Sequence, residues 1–248
     1  MDNVTDECVA TGIKGFDEML GGGFLPNSMV LVRGAPGTGK TSLALQFLLH
    51  GATRHNESGL LISFEEFPSS LHRDAESLGW NLRDVEESGK LHLMFTSPEV
   101  FLSSLESPDS RLNRLIVSAN IRRLALDSIS HFDRLTNDVR DLRHIYTSVM
   151  NGLRREGITA MLLGEEGRSG YRRIARGGIS FIVDAIVMLR YVEIESAMQR
   201  AIVVLKMRGS NHAKEIRRYE IGPGGIEVLD VFDGRGGLLS GASYRAMP

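Results

Sequence analysis

Residues 34–41 read Gly-Ala-Pro-Gly-Thr-Gly-Lys-Thr, a full match to the spacing G-x-x-x-x-G-K-[ST]. The glycines Gly34, Gly37 and Gly39, interleaved with Ala35, Pro36 and Thr38, let successive backbone N–H groups turn toward one anion. A helix opening at the end of such a loop adds its partial positive charge. In that setting Lys40 reaches the outer phosphates of a nucleoside triphosphate and the Thr41 hydroxyl ligates Mg²⁺, with Ser42 in the same phosphate-binding turn. Phosphoryl chemistry also needs a carboxylate at the metal and a group that orients the attacking water. Asp127 ends the apolar run Leu124-Ala125-Leu126 and would point into the crevice at the strand carboxyl ends, where the metal sits. Ser128 beside it could join the same water shell. Glu65 and Glu66 follow a second apolar run and could polarise the attacking water. In other surroundings the same residues would be a turn-capping Asp and a solvated acidic pair.

The elements that must position these groups are legible from periodicity. Met29-Val30-Leu31-Val32 is a short apolar run of buried-strand type directly before the loop. After it, Leu43, Phe47, Leu48 and Gly51 fall at helical spacing. Further strands are expected over 59–64, 91–95, 124–127 and 158–163. Helices are expected from Pro68 to a stop at Gly79, and between Asp138 and Gly157. Strands alternating with helices point to βαβ units and a mostly parallel sheet covered on both faces. After residue 178 four short runs follow, 185–194, 200–208, 215–221 and 226–229, with turn-like breaks at 209–211 and 222–225. These read as antiparallel hairpins on one edge of the sheet. The expected architecture is therefore α/β, one domain over residues 1–248.

Composition fits this reading. The 248 residues carry Lys+Arg 29 against Asp+Glu 31, a formal net charge of −2, with 42% apolar residues. That balance excludes a disordered chain and argues against a protein that coats nucleic acid non-specifically. A lone cysteine, Cys8, cannot close an internal disulfide and favours a reducing compartment. The acidic, polar start lacks the basic and apolar regions of a signal peptide, and no run approaches the length of a membrane span. A cytoplasmic location is expected.

Several further motifs fall in order around the loop. Thr11-Gly12-Ile13, Gly15-Phe16-Asp17 and Leu20-Gly21-Gly22-Gly23 precede it. Phe64-Glu65-Glu66, Leu78-Gly79-Trp80, Leu126-Asp127-Ser128, Tyr191-Val192-Glu193 and Lys206-Met207-Arg208-Gly209-Ser210-Asn211-His212 follow. Together they resemble the KaiC family of RecA-like ATPases, from about residue 11 to 241. The resemblance implies a RecA-like fold, ATP with Mg²⁺ as ligands, and a hexameric ring with ATP between subunits. It also implies that Lys206 and Arg208 reach a neighbour's γ-phosphate, with His212 close to the same nucleotide. A fixed cation supplied in trans stabilises the transferring phosphoryl group. Read without the resemblance, Lys206 and Arg208 could simply alternate outward on a strand. The segment Ile179-Ser180-Phe181-Ile182-Val183-Asp184 is similar to the stretch that carries adjacent phosphorylated Ser and Thr in the second clock domain. Ser180 falls on the serine and Phe181 replaces the threonine, which leaves autophosphorylation at Ser180 open and excludes a two-site cycle.

One segment points elsewhere. Residues 167–178 hold Arg168, Tyr171, Arg172, Arg173 and Arg176, cations and a ring of the kind that track and stack single-stranded DNA. Pairing of these arginines with Glu165, Glu166 or a neighbour's acids accounts for them equally simply. The leading expectation is a regulatory ATPase acting as a ring with an unidentified regulatory partner protein. The alternatives are a recombinase-like module whose ATP state tunes DNA affinity, and a phosphotransferase.

Overall fold

Six apolar runs become parallel strands in the computed structural model, which describes residues 8–166, 178–232, 235–238 and 244–245. They are β1 (Met29–Gly34), β2 (Ser58–Ser63), β3 (Leu91–Phe95), β4 (Ile121–Asp127), β5 (Thr159–Glu165) and β6 (Ala185–Ile194). Side by side they lie in the order β3-β2-β4-β5-β1-β6. Beyond β6 the sheet continues antiparallel through β7 (Ala197–Met207), β8 (Arg217–Gly222) and β9 (Gly225–Val231), nine strands in all. A separate two-stranded ribbon pairs β10 (Arg235–Gly236) with β11 (Tyr244–Arg245).

Alternation along each central strand feeds two cores. Val30, Val32, Leu61, Ala125, Met161 and Leu163 pack under α1 (Phe16–Met19), α2 (Lys40–Arg54), α3 (Pro68–Ser77) and α4 (Leu82–Glu87). Their sequence neighbours Met29, Leu31, Leu60, Leu124, Leu126, Ala160 and Leu162 face the other side. There they meet α5 (Pro98–Glu106), α6 (Arg111–Ser118), the 3₁₀ turn Ile129–Arg134, α7 (Val139–Arg155) and α8 (Ile179–Ile182). Burial on both faces is why these strands read as unbroken apolar runs. The α7 helix starts where Asp138 accepts from the N–H groups of Arg140 (2.6 Å) and Asp141 (3.4 Å), an N-cap. Among the described residues, no helix is long and apolar enough to cross a membrane.

Strand β7 begins earlier than its sequence suggests. The β6–β7 hairpin turns through Glu195 and Ser196, both at positive φ (51° and 65°). Two-residue hairpin turns of this hand ordinarily carry Asn or Gly. With neither present the turn gives no signal, and residues 197–199 fall outside the run 200–208 expected from sequence.

One buried cation ties the sheet to α2. Arg123 on β4 is 1% exposed. Its Nε donates to Glu57 at 2.5 Å, one terminal nitrogen donates to the carbonyls of Ala10 (2.6 Å) and Phe47 (3.0 Å), and the guanidinium lies 4.7 Å from the Phe47 ring centroid. Gly51 has no side chain for this reason, since a Cβ there would stand 2.4 Å from Arg123 Nε. Removing one partner of a buried pair strands the other and opens a void. Arg123→Ala should lower the unfolding free energy by about 3–5 kcal/mol in urea titrations. Gly51→Ala should destabilise through overpacking by about 1–3 kcal/mol.

Candidate active site

The loop after β1 is shaped by glycines that cannot be replaced without collision. Gly37 and Gly39 sit at φ +79° and +86°, and a Cβ on Gly39 would meet Ile221 at 2.4 Å. On Gly34 it would meet the Thr38 hydroxyl at 2.5 Å. Helix α2 then begins at Lys40 with no side chain capping it, so its first N–H groups face the mouth of the loop. The loop carbonyls are held elsewhere. Lys40 Nζ donates to those of Gly34 (3.0 Å) and Ala35 (3.2 Å), and Thr38 Oγ1 donates to Ala35 (2.8 Å). Tyr191 on β6 donates its hydroxyl to the carbonyl of Gly37 (2.6 Å), and Tyr219 on β8 donates to that of Thr38. Burial pushes the Tyr219 phenol up, so it stays a neutral donor. Neither tyrosine was picked out as a site residue from sequence. Tyr191 falls in a quoted motif without an assigned role, and Tyr219 gives no local signal.

Beside the loop, the Thr41 hydroxyl donates to Asp127 Oδ2 at 2.7 Å. Burial raises the Asp127 carboxyl above its usual range, opposed by the Thr41 hydrogen bond and the Lys40 charge. The same burial pulls the Lys40 ammonium down. A cavity of ≈ 240 Å³ opens here, lined by Gly37, Gly39, Lys40, Thr41, Ser42 and Glu66, with Asp74, Ala75 and Ile221 at its wall. Glu66 is pushed up by burial first and by the Asp127 charge second. Asp74, the second acid lining this cavity after Glu66, carries no signal in the sequence.

The two adjacent glutamates are not equivalent. Ser63 Oγ accepts from the N–H groups of Glu65 (3.3 Å) and Glu66 (2.9 Å) and fixes the turn that separates them. Glu65 Oε1 is 2.6 Å from His131 Nε2 on the 3₁₀ turn, outside the cavity lining. That turn is seated by Phe64, whose ring packs edge-on against Phe101 and Phe132. Ser128 is buried, and its hydroxyl accepts from the N–H of Ser130 at 3.2 Å, which makes it the cap of the same turn.

These residues fit a magnesium-bound polyphosphate. Hydroxyl and carboxylate oxygens are the donors a hard, small cation takes. A loop with outward N–H groups, an uncapped helix start and one lysine answers the anion.

Lys206, Arg208 and His212 lie at the other end of the sheet. Lys206 pairs with Ile186, and Ile186 with Leu31, so it sits three residues below Gly34 along the strand axis. Arg208 is one residue past Met207, which is level with Val30, or about 16 Å from Gly34 at the usual rise per residue. Both side chains turn further away. Lys206 Nζ donates to the carbonyls of Ser180 (2.8 Å) and Val183 (2.7 Å), and Arg208 donates to that of Phe181 (2.6 Å). The His212 loop is held to the same end, with Gly209 against Leu25 and the Ala213 N–H on the Met19 carbonyl (2.8 Å).

Known proteins resemble this chain in sequence and fold. The family model for the ATPase KaiC matches residues 9–231. The chain belongs to the KaiC family. It is 37% identical over 239 residues to circadian clock oscillator protein KaiC 1 of Synechocystis sp. PCC 6803, and 37% identical over 239 residues to KaiC of Picosynechococcus sp. PCC 7002. Each match covers 96% of this chain and 45% of the relative, so the chain spans less than half the length of these curated relatives. A crystal structure of a KaiC-like protein from Pyrococcus horikoshii OT3 superposes with a TM-score of 0.77 at 30% identity, over 89% of this chain and 98% of that one. The expected RecA-like α/β fold and the KaiC resemblance are both borne out, and the chain is of ATPase type.

Within this KaiC-family chain, Arg168, Tyr171, Arg172, Arg173 and Arg176 lie outside the described residues, and the DNA expectation with them. Ser180 is half-buried on α8.

The raised Asp127 carboxyl has a consequence for stability. Its ionisation in the empty site opposes folding, so stability present below the ordinary Asp value, ~3.9, is lost as pH climbs through the raised one. Without nucleotide, Asp127→Asn should therefore be more stable than wild type in urea at pH 7.5, and the gap should close toward pH 4. A variant less stable than wild type at pH 7.5 would contradict this.

Proposed function

We propose that this KaiC-family chain binds Mg-ATP and hydrolyses it at sites completed by a second copy, in a ring that the family resemblance makes hexameric, with a regulatory role. One observation carries the reading. The phosphate loop and the acids sit at the carboxyl end of the parallel strands, while Lys206 and Arg208 sit at the other end, held away from their own loop. The loop-side cavity, ≈ 240 Å³, is also below the range of about 300–1,000 Å³ of ordinary ligand pockets. Both facts suit a nucleotide that one subunit only half encloses.

In this reading the loop N–H groups and Lys40 bind the phosphates, and Thr41 and Asp127 hold Mg²⁺. When bound, Mg²⁺ neutralises charge on the phosphate oxygens. Glu66, raised by burial and facing the cavity, takes the proton of the attacking water, a task suited to a base poised nearer neutrality. Glu65, tied to His131, orients that region. The neighbour's Arg208 and Lys206 stabilise charge developing on the γ-phosphoryl group. Because the nucleotide lies between subunits, hydrolysis changes subunit contacts, which is the basis for a regulatory output. Phosphotransfer to Ser180 stays a separate proposal, decided by mass spectrometry of protein incubated with Mg-ATP.

Lys40→Ala should lose Mg-ADP binding in calorimetry and with it phosphate release. Arg208→Ala should keep Mg-ADP binding but lose turnover by about a thousandfold, the scale of an arginine finger. Wild-type turnover in Arg208→Ala would remove the trans assignment.

A further inference from the structure

Three phenylalanines are exposed where their chemistry argues for burial. Phe67 and Phe95 are 60% and 41% exposed and stack on each other, ring centroids 4.2 Å apart at 30°. Phe181 is 69% exposed. The first two belong to the loop end of the sheet. Phe67 directly follows Glu66, which lines the loop cavity, and Phe95 ends the edge strand β3. Phe181 belongs to the other end. Its backbone carbonyl accepts from Arg208, and Lys206 bonds the carbonyl of Ser180 just before it.

We infer that Phe181 of one copy docks on the Phe67–Phe95 pair of the next copy, beside the shared nucleotide. The inference rests on the ring reading above and adds a contact to it. Arg208 and Phe181 lie together, the Arg208 guanidinium donating to the Phe181 carbonyl at 2.6 Å. Glu66 and Phe67 are consecutive. A neighbour that brings its Arg208 to the phosphates beside Glu66 therefore brings its Phe181 to the level of Phe67. Charge agrees with this register, because Lys206 and Arg208 arrive where Glu65, Glu66 and Asp127 concentrate negative charge. The two surfaces lie at opposite ends of the sheet and differ from each other, so the contact is head-to-tail, the kind that builds rings when its rotation closes, and not a two-fold dimer. Aromatic rings buried beside charged groups are characteristic anchors at the centre of such interfaces. Position 181 carries no hydroxyl, so the docked ring offers no phosphoryl acceptor there.

Site-directed cross-linking in a Cys8→Ser background tests the contact. Phe67→Cys and Phe181→Cys chains are mixed with Mg-ATP and treated with a short bismaleimide, and assembly is followed by sedimentation velocity. At these exposed positions substitution should leave the fold intact. A covalent dimer formed only in the mixture, and not between Phe67→Cys and the exposed control Val117→Cys, supports the docking. Rings that assemble without that cross-link overturn the inference while leaving the shared site intact. Chains that stay monomeric with Mg-ATP overturn the ring reading itself. Independently, Phe181→Ala should raise the concentration needed for assembly at least tenfold with unchanged Mg-ADP affinity of the subunit. An unchanged assembly midpoint also overturns it.

Discussion

A loop can point a set of backbone N–H groups at one anion only if its carbonyls are satisfied somewhere else. In this chain that constraint organises much of the molecule. The carbonyls of Gly34 and Ala35 are taken by Lys40, with Thr38 also on Ala35, so the loop is closed by its own residues. The next two, on Gly37 and Thr38, are taken by Tyr191 and Tyr219. Those tyrosines come from β6 and β8, so the antiparallel extension is more than an edge ornament. It reaches back along the sheet and holds the phosphate loop open. Ile221, also on β8, packs so closely on Gly39 that only glycine fits there.

The sheet then acts as a ruler. Parallel strands carry Ser63 and Asp127 to the level of Val32, two residues short of Gly34, as the register of β2 on β4 and of β1 and β4 on β5 shows. The loop, the Asp127 carboxylate and the Glu65–Glu66 turn are therefore brought to the same end of the sheet by the strands that carry them. An antiparallel β7 runs the opposite way, and its end carries Lys206 and Arg208 to the far level. The acids Glu65, Glu66 and Asp127 gather at one end and the cations Lys206 and Arg208 at the other, which suits head-to-tail association.

Much of this was legible from residues alone. The phosphate loop announces itself by spacing, and five of the six parallel strands by apolar runs; the run 185–194 reads as part of the antiparallel hairpins, yet as β6 it pairs parallel with β1 before turning back into β7. The pairing of Thr41 with Asp127 follows from a loop after one strand and an acid ending another. What could not be read is what depends on distant approach. Arg123 looks like a surface arginine in a charged pair with Arg122, yet it is the largest fully buried side chain among the described residues. Its partners Glu57, Ala10 and Phe47 come from three separate segments. The same holds for Tyr219, whose partner lies 181 positions away. Glu65 and Glu66 are indistinguishable in sequence, and only the Ser63-anchored turn sends one to His131 and the other to the cavity. The Glu195–Ser196 turn escaped because its strained backbone is carried by residues that do not advertise it.

The central claim is that one active site is assembled from two copies, and subunit mixing tests it most directly. A Glu65→Gln/Glu66→Gln chain keeps its cations but lacks the acids. An Arg208→Ala chain keeps the acids but lacks the cation. Each alone should release almost no phosphate from Mg-ATP. Mixed in equal amounts, about a quarter of the interfaces in a randomly assembled head-to-tail ring pair intact acids with an intact Arg208. The mixture should therefore recover about that share of wild-type turnover. A mixture no more active than either variant alone, in rings shown to exchange subunits, would contradict the account.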